Sequence, residues 1–202
     1  MINKELENNF LSRNIEVQWF DTFGEVKNYL LNNIPKEATV GIGHSQTLQK
    51  IGIAEALIGR GNEVYDKELG STHDEIKRLK KLSLLADYYI SGSNAVSVDG
   101  RIVNIDHSGN RVAALSYGPE RVYIVVGRNK ITNTYVDAIK RAKNIASPQN
   151  AKRAGYNPPC VSIGYCIDCL SPERVCNIVS IIEGQHVKGR ITLLIVNADA
   201  GY

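Results

Sequence analysis

The chain has 202 residues, of which 43% are hydrophobic and 22% charged, with a formal net charge of +3 and a pI near 8.6. That length supports one well-buried domain, and no apolar run is long enough to span a bilayer. The Lys and Arg residues are dispersed along the chain, which argues against nucleic-acid binding. Residues 1–14, MINKELENNFLSRN, are polar and acidic and lack the apolar centre of a signal peptide. A cytoplasmic, reducing setting is therefore expected, and structural disulfides are not. No linker, repeat or low-complexity tract divides the sequence, so residues 1–202 read as a single domain, with 155–180 forming a cysteine-containing loop and helix.

Taken in chain order, an amphipathic stretch over 2–13 leads to a β-like run from Ile15 to Phe20. Thr22 and Glu25 have the spacing of a capping box and open a helix that stops before Pro35. A short apolar run, Ala38 to Ile42, precedes a helix from Ser45 to about Ile58, ended by Gly59 and Gly61. Glu63 to Tyr65 reads as a strand, Thr72 with Glu75 as a second capping box for a helix to Leu85, and Asp87 to Ser91 as another strand. Ala95–Val98 and Arg101–Ile105 flank Asp99-Gly100, the signature of a tight hairpin. A helix near 111–116, a strand over 121–126, a helix near 133–146 and a last strand over 191–196 complete the pattern. Alternation of this kind implies an α/β fold: a doubly wound, mostly parallel sheet with helices on both faces and one β-hairpin insertion.

In such folds ligands bind beyond the carboxyl ends of the strands. The first loop there is Gly41-Ile42-Gly43-His44-Ser45-Gln46-Thr47. Its glycines let backbone approach closely, and its free amides with the Ser45 and Thr47 hydroxyls could hold a phosphate or carboxylate. The competing reading is a tight turn with an ordinary Ser cap. Gln46 stands where a dinucleotide fingerprint would need its third glycine. His44 adds a donor. A second region joins Gly92 and Asn94 to His107, Asn110 and Arg111, with Arg111 a candidate anion clamp and His107 a candidate general acid or base. Asp106, His107 and Ser108 are sequence neighbours and do not constitute a triad. A third loop, Gly127-Arg128-Asn129-Lys130, adds Lys130. Together these suit a small anionic metabolite.

The four cysteines of the chain, Cys160, Cys166, Cys169 and Cys176, fall in one short stretch spaced C-x5-C-x2-C-x6-C. Three readings compete: a metal site holding an iron–sulfur cluster or zinc, buried structural thiols, and a redox dithiol. The inner CxxC is a usual pincer spacing, whereas the outer spacings match neither a zinc finger nor the ferredoxin run. Ser171-Pro172-Glu173 has the chemistry of a helix start, which would put Cys176 on its second turn.

The ordered blocks TVGIGHSQTLQKIG, ADYYISGSNAVSVDGRIVNIDHSGNRVAAL, GPERVYIVVGRNKI, PQNAKR and PPCVSIGYCIDCLSPERVCN resemble those of the LUD-domain (lactate-utilisation) proteins, in the variant with a C-terminal four-cysteine cluster. The resemblance runs from about residue 20 to the end of the chain. It implies a fold similar to the NagB/RpiA/CoA transferase-like superfamily, and a role in bacterial lactate or other organic-acid oxidation beside iron–sulfur oxidoreductase subunits. ISGSNAV is similar to the G-A-D segment of the sugar-phosphate isomerase branch, where an acid transfers a proton. Asn94 replaces that acid and cannot act as a base at neutral pH. The alternative function is a metabolite-binding or enzymatic domain for a sugar phosphate or CoA-linked substrate, with thiols of structural importance only. Either reading admits a homo-oligomer.

Overall fold

The computed structural model describes residues 2–202. In chain order its elements are α1 (Ile2–Leu11), β1 (Glu16–Phe20), α2 (Phe23–Asn33), β2 (Val40–Ile42), α3 (Gln46–Ile51), α4 (Ile53–Arg60), β3 (Val64–Asp66), α5 (His73–Leu82), β4 (Tyr88–Gly92), β5 (Ala95–Ser97), β6 (Ile102–Asp106), α6 (Asn110–Ser116), β7 (Arg121–Gly127), β8 (Ile131–Thr132), α7 (Tyr135–Arg141), α8 (Ser147–Arg153), α9 (Pro159–Ile163), β9 (Ile178–Ile182) and β10 (Ile191–Val196).

Six strands form an all-parallel sheet in the order β1-β10-β7-β4-β2-β3, with Leu193 of β10 registered on Val17 of β1 and on Ile124 of β7. The two central strands read RVYIVVG and ITLLIV because both their faces are covered, so alternation gives way to continuous apolar sequence. Side chains still divide by the two-residue period. Ile124, Val126, Leu193 and Ile195 pack with Leu6 and Phe10 of α1 and Leu115 of α6. Val125, Leu194 and Val196 pack on the other face with Leu30 of α2, Leu48 of α3 and Leu57 of α4. The α/β class expected from the sequence is the class observed. Among the described residues no helix is long and apolar enough to cross a membrane.

Both capping boxes form as expected. Glu25 N donates to Thr22 Oγ1 at 3.2 Å and Thr22 N donates back to Glu25 Oε2 at 3.0 Å, and Thr72 with Glu75 repeats the same two distances. Four expectations need correction. The helix from Ser45 breaks at Gly52, whose φ of +64° caps α3 and starts α4. The helix near 133–146 does not stop there but passes through a π turn, Ala142–Ala146, into α8. Pro148 lacks an N–H and crowds the preceding turn, and the wider π turn absorbs that defect. The Asp99-Gly100 hairpin lies where expected, yet instead of interrupting the main sheet it founds a second one, ordered β8-β5-β6-β9. That sheet closes over Ala138 and Ala142 in a smaller core.

The fourth correction concerns Ser171. No helix starts there; Glu173 N donates to Ser171 Oγ at 3.2 Å and Arg174 N to the Ser171 carbonyl at 3.1 Å, which makes one turn. The Arg174 guanidinium then binds the carbonyls of Cys169 and Cys176 at 2.9 and 3.1 Å and folds the chain back. Asn177 N donates to the Asp106 carbonyl, and β9 pairs antiparallel with β6 from Asp106↔Ile178 onward. Cys160 lies instead on α9, which opens on Pro158-Pro159.

Candidate functional site

A cleft of about 450 Å³ opens where the loops leave the carboxyl ends of β2, β4 and β7. Eight residues singled out in the sequence line it: His44, Ser45, Gly92, Asn94, His107, Asn110, Arg111 and Lys130. Gly41, Gly43 and Thr47 stand behind its wall. A Cβ on Gly41 would meet the Ser83 carbonyl at 2.7 Å, and one on Gly43 would meet Ser91 Oγ at 2.7 Å and Tyr89 OH at 2.8 Å. Both glycines thus serve packing of the loop against its neighbours. Ser45 makes no side-chain cap bond, and α3 is only six residues long, so the loop works through its side chains more than as a helix terminus.

Arg111 is the post around which the cleft is built. Its Nη1 donates to the Gly92 carbonyl at 3.1 Å and to Asn104 Oδ1 at 2.7 Å, and its Nη2 to Asn94 Oδ1 at 3.0 Å and the Ile105 carbonyl at 2.8 Å. Four of its five donors are therefore engaged by neutral acceptors, and its contribution to a ligand is charge more than a bidentate clamp. Asn94 Oδ1 also accepts from Ile105 N at 2.9 Å, leaving its amide NH₂ as the donor not engaged among the described residues. Asp106 caps α6, accepting from the backbone N–H groups of Arg111 and Val112.

Lys130 ends a short 3₁₀ turn after β7 and is 4% exposed. Its Nζ donates to the Ser93 carbonyl at 2.9 Å and to Thr47 Oγ1 at 3.4 Å. Burial, reinforced by the Arg141 and Arg111 charges, pushes it down to about 7.

The four cysteines line a second, small cavity of about 10 Å³, together with Lys143 and Arg174. Asp168, at a left-handed φ of +52°, turns the chain so that its N–H donates to Cys166 Sγ at 3.3 Å. Arg174 Nη2 donates to Cys176 Sγ at 3.5 Å, and Asn144 of the π turn accepts from Cys166 N at 3.0 Å. N–H groups aimed at sulfur are the surroundings that cysteine ligands of a soft, positively charged group ordinarily have, which fits the donor set to such a group. Burial, and then the neighbouring thiols, raise the Cys160 thiol, which is costly to ionise while no such group balances the charge. Among the described residues no three His, Cys, Asp or Glu side chains are grouped to hold a metal ion. Val175 is a wall of both cavities, so the thiols stand one side chain away from the cleft.

The sequence profile of the LUD domain matches residues 3–196. The chain belongs to the LUD-domain family. That membership associates it with lactate utilisation. A crystal structure of a DUF162 family protein from Deinococcus radiodurans is similar to it at 16% identity, with a TM-score of 0.54 over 96% of this chain and 94% of that one, a likeness of fold. No curated protein matches the chain in sequence.

This LUD domain lines its cleft with residues that had no signal as loop residues. Lys67 follows β3, His73 and Lys80 come from α5, Arg153 and Tyr156 from the end of α8, and Tyr202 from the segment after β10. Local sequence marks such cations as solvated; only tertiary packing brings them to the walls of the cleft. The lining holds five Lys and Arg residues, Lys67, Lys80, Arg111, Lys130 and Arg153, against one carboxylate, Asp106. His44 Nδ1 lies 3.2 Å from Glu68 Oε1. Burial first, then Lys67, Arg153 and Arg111 against the opposing pull of Glu68, lowers His44 to about 4. The ring is therefore neutral at pH 7, and the contact is the approach of a neutral imidazole to a carboxylate, not an ion pair.

Proposed function

We propose that this LUD domain holds a small organic anion, a carboxylate of the lactate and pyruvate class, in the cleft, and that its four cysteines bind an iron–sulfur cluster beside it. The observation that carries the first half is the charge of the cleft: the cations Lys67, Lys80, Arg111 and Arg153, with Lys130 beside them, against a single side-chain carboxylate, Asp106, whose oxygens already accept from backbone amides. A low-dielectric wall concentrates that field on whatever enters. The second half rests on the four cysteines lining one cavity with N–H···S bonds and Arg174 at its edge. Zinc would suit the same thiolates; a cluster would add a one-electron redox centre next to the cleft, in keeping with organic-acid oxidation beside iron–sulfur oxidoreductase subunits.

Melting shifts test the ligand class. By mass action a ligand at a hundredfold excess over its dissociation constant adds about 2.7 kcal/mol. Lactate or pyruvate is expected to raise the melting temperature, and to lose that effect as salt screens the cleft. A shift with sugar phosphates or CoA esters, and none with hydroxy or oxo acids, would move the assignment to a phosphorylated substrate.

A further inference from the structure

Lys130 is the group in this cleft whose surroundings a purely electrostatic role does not account for. An ion-holding lysine is ordinarily solvated or faces a carboxylate. Lys130 is 4% exposed, and the charged groups that act on it, Arg111 and Arg141, are both cations. Arg141 is itself fixed close by, donating to the Asn129 and Asn94 carbonyls. The partners of Nζ are neutral and number two, the Ser93 carbonyl and Thr47 Oγ1. A neutral primary amine has two N–H bonds and one lone pair, so two acceptors satisfy it and leave the lone pair free; an ammonium would keep a third N–H with no acceptor. A desolvated lysine beside other cations is the setting in which amines act as nucleophiles.

We propose that Lys130 is a nucleophilic amine that condenses with the carbonyl carbon of a small oxo acid in the cleft. The inference rests on the reading that the cleft holds a small carboxylate, which Lys67, Arg111 and Arg153 would retain while the adjacent carbonyl meets Nζ. In the step the nitrogen lone pair forms an N–C bond and the carbonyl π pair moves to oxygen. The two amine hydrogens pass to that oxygen, the C–O bond breaks and water leaves, giving an imine with no change of oxidation state. A proton from solvent converts it to the iminium, an electron sink for the bonds next to that carbon. The Gly201 segment lies against the amine: a Cβ there would stand 3.1 Å from Nζ and 3.0 Å from Thr47 Oγ1, tighter than an ordinary contact.

The test treats the full chain with pyruvate and sodium borohydride at pH 7 and maps reduced adducts by peptide mass spectrometry, with pyruvate melting shifts measured in parallel. The expected result is one adduct per chain, on Lys130, at least about tenfold over any surface lysine, which at that pH is almost wholly protonated. The adduct is expected to vanish in Lys130→Arg, which keeps N–H donors but has no nucleophilic amine, and in Lys130→Met. A melting shift with no adduct on Lys130, or labelling spread evenly over surface lysines, would overturn the amine role and leave the anion site standing. Neither shift nor adduct would overturn both.

Discussion

The cleft and the cysteine segment sit side by side and are built on opposite principles. The cleft is an outgrowth of the six-stranded sheet: its loops leave strands that are buried beyond their first residue, and its central cation, Arg111, is held by four hydrogen bonds. The cysteine segment has a five-residue helix and a few turns, and leaves Tyr165, Ile167 and Leu170 at 57%, 52% and 92% exposure. Its main anchors are Cys160, Val175 and the Arg174 bonds. The difference teaches that the first site is preorganised by the fold, whereas the second draws much of its order from what its sulfurs bind.

The scaffold gives the largest way to break this contrast. Leu194 of β10 is 0% exposed and packs with Leu30, Leu48 and Leu57, so Leu194→Ala is expected to cost about 2–5 kcal/mol in denaturant unfolding and to weaken anion binding with it. The next effect belongs to Lys130. With its folded value lowered to about 7 from 10.5, the unfolded chain binds more protons between those values. Stability therefore rises with pH across that window, and the penalty is complete below it. Lys130→Met removes this dependence: its stability relative to the parent should fall by roughly a few kcal/mol as pH climbs from about 7 toward 10, measured by chemical denaturation at each pH. A pH-independent difference would mean that Lys130 is not perturbed. The smallest stability effect is expected from Cys169→Ser, under about 1 kcal/mol on global unfolding because the sheet carries the cooperative core. Amide exchange over 158–177 should nonetheless accelerate, since the segment loses what orders it.

What was legible in the sequence follows the same division. The strands and both capping boxes are local signals, carried by apolar runs and by Thr22 with Glu25 and Thr72 with Glu75. The rule that ligands meet α/β sheets at carboxyl ends was enough to bring His44, Asn94, Arg111 and Lys130 to one cleft. It was not enough to find Lys67, Lys80 or Arg153, which reach the cleft only because helices pack against it. Gly41 and Gly43 resemble ligand-loop glycines but answer to Ser83, Tyr89 and Ser91, partners remote in sequence. Ser171-Pro172-Glu173 carries good helix-start chemistry, and the tertiary bonds of Arg174 and the pairing of β9 with β6 override it. β9 itself, IVSII, is a β-branched run whose period was hidden by the helix expected to cover it.

The contrast between a preformed cleft and a segment completed by its bound group is tested most directly by measuring iron, acid-labile sulfide and zinc, with the visible absorption spectrum, on anaerobically prepared protein. Iron and sulfide in stoichiometric amounts, with charge-transfer absorption lost in Cys169→Ser, are the result expected. Zinc in their place would keep the site and change its occupant. Metal-free protein with four freely titrating thiols and slow amide exchange across 158–177 would contradict the account.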